Sequence, residues 1–131
     1  MSNAIGTFEI TSMGEDTYHE TEGGVKLTRA RGAQRLTGDI EGHGSVEWLM
    51  CYLPDKTATF VGLQRIEGSV GGHAGSFVMH AVGVHDGMQS KASWSIVAGS
   101  GTGELAGIIG EGSFHAPGGP RATYNLEYQL A

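Results

Sequence analysis

The sequence predicts an all-β fold, a closed antiparallel eight-stranded barrel, and three observations carry that prediction. Apolar and polar residues alternate in segment after segment, whereas nowhere do apolar residues recur at helical spacing across a window of about 11 residues. Turns rich in glycine or proline separate these runs at short, even spacing. Eight alternating runs can be marked, with almost nothing left over for helix, which is the pattern of a barrel or a sandwich. A sandwich shares the alternation and is the architectural alternative. Closure into a barrel removes exposed edges, and eight strands enclose room for side chains or one small ligand.

In chain order, Gly6 to Thr11 places Phe8 and Ile10 on one face. From Ser12 to Val25 there is no strand pattern. The stretch carries Glu15, Asp16, Glu20 and Glu22 and reads as a mobile flap near one barrel mouth, anchored only by Tyr18. Strands follow at Lys26 to Thr37, Gly44 to Leu53 and Ala58 to Glu67, divided by the turns Gly38 to Gly42 and Pro54-Asp55-Lys56. Gly75 to Val84 and Met88 to Val97 flank His85-Asp86-Gly87, and an Asp-Gly between alternating runs is a strong hairpin signal. Gly103 to Ile109 has room for one helical turn. Gly110 to Ala116 resumes as a strand, Ala116 to Pro120 is a loop, and Ala122 to Leu130 puts Tyr124, Leu126, Tyr128 and Leu130 on one face.

Composition narrows the function classes. The 131 residues fit a single domain over 1–131. The 23 glycines exceed the usual share of about 7% without a collagen-like period, so they serve turns and bulges. Fourteen Asp and Glu against eight Lys and Arg give a formal charge of -6, which argues against nucleic acid as a partner. Cys51 is the only cysteine, which rules out an intramolecular disulfide and a thiolate zinc cage and suits a reducing compartment. Met1 to Gly6 lacks the basic and apolar regions of a signal peptide, and no apolar run approaches about 18 residues. A soluble cytoplasmic protein with no membrane partner is the expectation.

The third strand departs from simple one-sided burial. Val46, Trp48, Met50 and Tyr52 alternate with Ser45, Glu47, Leu49, Cys51 and Leu53, so both faces are largely apolar. A barrel buries one of them, and a second subunit covering the other is the favoured explanation, making a homo-oligomer, most simply a dimer.

Six segments carry a family resemblance in order along nearly the whole chain. They are Gly6-Thr7-Phe8-Glu9, Lys26-Leu27-Thr28-Arg29-Ala30, Gly38-Asp39-Ile40-Glu41-Gly42, Phe60-Val61-Gly62-Leu63, Gly75-Ser76-Phe77-Val78 and the run from Gly99 to Gly107. Together they resemble the bacterial domain-of-unknown-function family numbered 3224. That family is similar in fold to allene oxide cyclase and the dirigent proteins, so the resemblance implies an antiparallel barrel. It implies no activity and transfers no catalytic residue.

Six histidines raise the question of a metal, and spacing answers it. No His-x-His pair exists, and His73, His80 and His85 stand seven and five apart, so neither a metal nor any other cofactor is expected. His19, His43, His73, His85 and His115 read as loop or strand-end residues. His80 lies mid-strand on the face of Val78 and Val82, either as a buried imidazole with one partner or as a polar group in a ligand cavity. Glu47 shares a face with Leu49 and Cys51, either as an exposed or interface carboxylate or as an interior acid, where burial is costly. Arg65 and Glu67 share a face opposite Gln64, so one of these faces turns polar groups into the barrel, an outer Arg65–Glu67 ion pair being the simpler arrangement. Arg29, Arg31 and Arg35 project from one face of the second strand, either as a solvated basic stripe, the simpler arrangement, or as an anion site. Trp48, Tyr52, Trp94 and Tyr128 either wall an apolar ligand or fill the core. No nucleophile elbow, phosphate loop or dinucleotide fingerprint is present.

The expected function is a barrel that binds a small, mainly apolar ligand in its interior, with Glu47, His80, Trp48, Tyr52, Gln64 and Trp94 as candidate ligand-binding residues. One alternative is a cofactor-free cyclase or isomerase resembling allene oxide cyclase, with Glu47 or His80 as acid or base. The other is a packed barrel that acts through its outer surface as an interaction or structural protein.

Overall fold

A computed structural model describes residues 1–131. Its strands are β1 (Ser2–Glu20), β2 (Lys26–Gly38), β3 (Ile40–Tyr52), β4 (Ala58–Val70), β5 (His73–His85), β6 (Ser90–Ile96), β7 (Thr102–Gly103), β8 (Ile109–Ala116) and β9 (Arg121–Gln129). Eight of them pair antiparallel in the ring β1-β2-β3-β4-β5-β6-β8-β9, and β9 pairs back onto β1 to close the barrel. The two-residue β7 clips onto the outer edge of β5.

Alternation decides which side of each strand faces in. On β4, Ala58, Phe60, Gln64, Ile66 and Val70 are buried while Val61, Leu63, Arg65 and Glu67 are exposed. On β9, Ala122, Tyr124, Leu126 and Tyr128 are buried between exposed neighbours. The inward side chains form one apolar cluster of 22 buried residues. Phe114 lies at its middle, with ring centroids 5.2 Å from Phe8, 5.6 Å from Trp94, 6.1 Å from Trp48 and 6.5 Å from Phe60. Such aromatic pairs add roughly 0.5–1.5 kcal/mol each beyond the area they bury. Gly62 makes room for Trp48, since a Cβ there would stand 2.5 Å from the indole Cδ1.

At one end the barrel is plugged. The segment expected to form a helical turn, Gly103 to Ile109, instead runs through successive i to i+3 turns, and the chain has no helix. Leu105 and Ile108, both 0% exposed, point from it into the core. Glu104 fastens the plug to β5: its N–H donates to the Ala74 carbonyl at 2.8 Å, and its Oε1 accepts the Ala74 N–H at 2.9 Å. Tyr124 ties the same end from the inside, its hydroxyl accepting the Ile40 N–H at 2.9 Å and donating to the Thr37 carbonyl at 2.8 Å. A Cβ on Gly6 would lie 2.5 Å from that hydroxyl.

The other end corrects the reading of Ser12 to Val25 as a flap without strand. Through Glu20 the chain continues as β1, paired to β2 with irregularities at Ile10/Ser12 and Thr17/His19. β1 pairs with β9 only from Ser2 to Glu9, so from Thr11 onward it projects with one edge bare. Every residue from Thr11 to Gly24 is exposed. The segment lacks alternation because neither of its faces is buried, not because it lacks strand geometry.

Candidate ligand-binding face

The six candidate residues do not converge on one site. Trp48, Gln64 and Trp94 face inward, Tyr52 stands at the open mouth, and Glu47 and His80 face outward and are exposed. Inside, the Trp94 indole Nε1 donates to Gln64 Oε1 at 2.8 Å, and Gln64 Nε2 donates to Gln34 Oε1 at 2.9 Å. An indole can only donate, so the direction of this chain is fixed from Trp94 to Gln64 to Gln34. Gln64 and Gln34 are 0% and 1% exposed. These groups lie packed among the barrel's own side chains. Sequence reasoning missed Gln34, although its phase with Ala30 and Leu36 on β2 already places it on their face.

At the mouth, Glu15 of the projecting arm receives two hydroxyls on one carboxylate oxygen, from Thr28 at 2.6 Å and from Tyr52 at 2.8 Å. Lys26 Nζ sits 5.0 Å from the centre of the Tyr52 ring. Partial burial, then the hydrogen bond to Glu15 and its negative charge, push the Tyr52 phenol up to about 12.

Outside, strand register assembles an apolar face from residues distant in sequence. Leu49, Val61 and Val82 are successive partners across β3, β4 and β5, with Cys51, Thr59 and Val84 in the row on one side and Glu47, Leu63 and His80 in the row on the other. One further row brings Ser45, Arg65 and Val78 together. Leu49, Val61, Leu63, Val82 and Val84 are 44–53% exposed, a contiguous patch of the kind that marks a binding surface. A groove of about 640 Å³ runs over it, floored by Leu49, Val61, Leu63 and Val78 and edged by Arg29, Glu47, Arg65 and His80. A volume of roughly 300–1,000 Å³ is typical of small-molecule sites.

The charges of this face are partly matched to one another. Arg29, paired opposite Leu49 on β2, donates Nε at 3.1 Å and Nη2 at 2.8 Å to Glu47 Oε1. That hydrogen bond, helped by the charges of Arg29 and Arg31, holds the Glu47 carboxyl below its ordinary range. Arg65 Nη1 meets Glu67 at 3.0 Å, the outer ion pair expected for that strand, with both side chains more than half exposed. Arg31 and His80 make no hydrogen bond or ion pair within the chain.

These features define a small closed antiparallel β-barrel with an apolar, aromatic-rich core and an apolar, arginine-edged groove on its outside. The family model described as "Protein of unknown function (DUF3224)" matches residues 4–128, and the chain belongs to that family. Among solved structures it is similar to the crystal structure of a protein of unknown function from the same family in Shewanella oneidensis. The two are 25% identical with a TM-score of 0.85, over 100% of this chain and 98% of that one. No curated protein matches the sequence.

Proposed function

We propose that this protein is a ligand-binding barrel whose working surface is the outer groove across β2 to β5, which takes a small, mainly apolar molecule. The observation that carries this reading is the contiguous floor of Leu49, Val61 and Leu63, left about half-exposed on the outside of the barrel, with the partly buried Val78 beside them. The interior site expected from sequence is less well supported, because Trp94 donates to Gln64, Gln64 donates to Gln34 and Trp48 packs on Phe60, which leaves only Trp48 Nε1 and Gln34 Nε2 buried without a partner. Glu47 favours binding over acid–base catalysis: a carboxylate clamped by Arg29 with a lowered pKa is a weak base near neutral pH.

Titration with Nile red, a neutral apolar fluorophore, tests the reading. The expected result is a saturable blue shift that Val61→Glu weakens at least about tenfold, near 1.4 kcal/mol, while Ile5→Asn, a change at an exposed apolar residue away from the groove, leaves it intact. Equal binding by both variants overturns it. The homo-oligomer expected from the two apolar faces of β3 depends on the same surface. Light scattering alongside the titration therefore separates the occupants: a dimer that Val61→Glu splits and that excludes the dye assigns this face to a second copy instead.

A further inference from the structure

The occupant's chemistry can be read from the mismatch between the groove's charge and that of the whole chain. The chain carries -6, yet the groove is edged by two arginines, Arg29 and Arg65, against the single carboxylate of Glu47. Arg31, the β2 residue opposite Glu47, adds a further cation beside it. Glu47 is already neutralised by Arg29, which holds it through two N–H donors, the closer at 2.8 Å, so the more loosely held arginine of the groove is the one at the Arg65 end. There Arg65 is held only by Glu67, on the same strand and 70% exposed, and an exposed pair of this kind is worth roughly 0–1 kcal/mol. A ligand anion can therefore recruit Arg65 with little loss.

Geometry sets a second group beside it. Arg65 pairs with Val78 and Leu63 pairs with His80, which puts Arg65 and His80 on the diagonal of one antiparallel pair, about 7–8 Å apart at the backbone and within reach of long side chains. From this polar end the apolar floor extends along β4 through Leu63 to Val61. The five residues from Arg65 to Val61 span about 13 Å.

Resting on the proposed binding reading, we infer that the groove's ligand is an amphipathic carboxylate, with its anionic head at Arg65 and His80 and its hydrocarbon chain over Leu63, Val61 and Leu49. Octanoate and octanol are the probes, since they share a chain and differ in the head. Calorimetric titration of the whole protein should give octanoate at least about tenfold tighter than octanol. Arg65→Gln should abolish that preference without changing octanol binding, and Arg65→Lys should restore part of it. The exposed position of Arg65 lets both variants fold, which a thermal melt verifies. Equal binding of octanoate and octanol by the wild-type protein overturns the inference while leaving an apolar site intact. Failure of both probes and of Nile red to bind overturns the inference together with the reading beneath it.

Discussion

Replacing Gln64 with leucine removes the middle of the chain Trp94 to Gln64 to Gln34 and leaves two buried groups without partners. The Trp94 N–H, in a residue 2% exposed, loses its 2.8 Å acceptor, and Gln34 Oε1 loses its 2.9 Å donor. Each orphaned group costs about 1–3 kcal/mol, and the added apolar burial of leucine returns on the order of 1–2 kcal/mol. A net loss near 3 kcal/mol follows, which in a domain of this size lowers Tm by about 10 °C. Circular dichroism melts and urea titrations measure it. The reasoning makes a sharper demand of the combined variant Gln34→Leu, Gln64→Leu, Trp94→Phe. Removing every member of the chain leaves no orphan, so this variant should be more stable than Gln64→Leu alone. A Gln64→Leu protein within about 0.5 kcal/mol of wild type, the range of an ordinary surface change, refutes the idea that the chain contributes to the core.

Two further outcomes concern the ends of the barrel. Leu105→Ala empties a fully buried position in the plug and should cost about 2–5 kcal/mol, read from the same urea titrations. Tyr52 should titrate near pH 12 by ultraviolet difference absorbance, against 10.0 for a free phenol. Because the folded-state value is the higher one, its contribution to stability is present below pH 10 and is lost as pH rises from 10 towards 12. Glu15→Gln should bring that titration back towards 10.

What sequence conveys about this fold is governed by where water is. β4, β5 and β9 were legible because one face of each is buried and the other wet, so period-two alternation survives in the residues. On β4, periodicity separates Gln64 from Arg65 and Glu67 but cannot say which side is interior, because that depends on how eight strands close. β3 shows the same ambiguity more strongly: Trp48 and Leu49 are both large and apolar, yet one packs on Phe60 at 5.3 Å and the other is 49% exposed. The second half of β1 was illegible because it has no buried face to mark. The groove was hidden for another reason. Its floor draws on Leu49, Val61, Leu63 and Val78 from three strands, and only register makes them neighbours.

The bare edge of β1 has a consequence for the protein in concentrated solution. From Thr11 to Glu20 the edge of β1 that faces away from β2 has no partner strand and is a template on which a second chain can add a strand, the first step towards a fibre. Glu15, Asp16 and Glu20 guard that template, with Glu22 just beyond. A copy docked edge to edge would bring these like charges within about one strand spacing, roughly 4.8 Å. The two register irregularities bend the edge out of the flat geometry that strand addition needs. The acidity of the arm thus serves colloidal stability, and neutralising it, by low pH or by amide substitution, leaves a folded barrel with an adhesive rim.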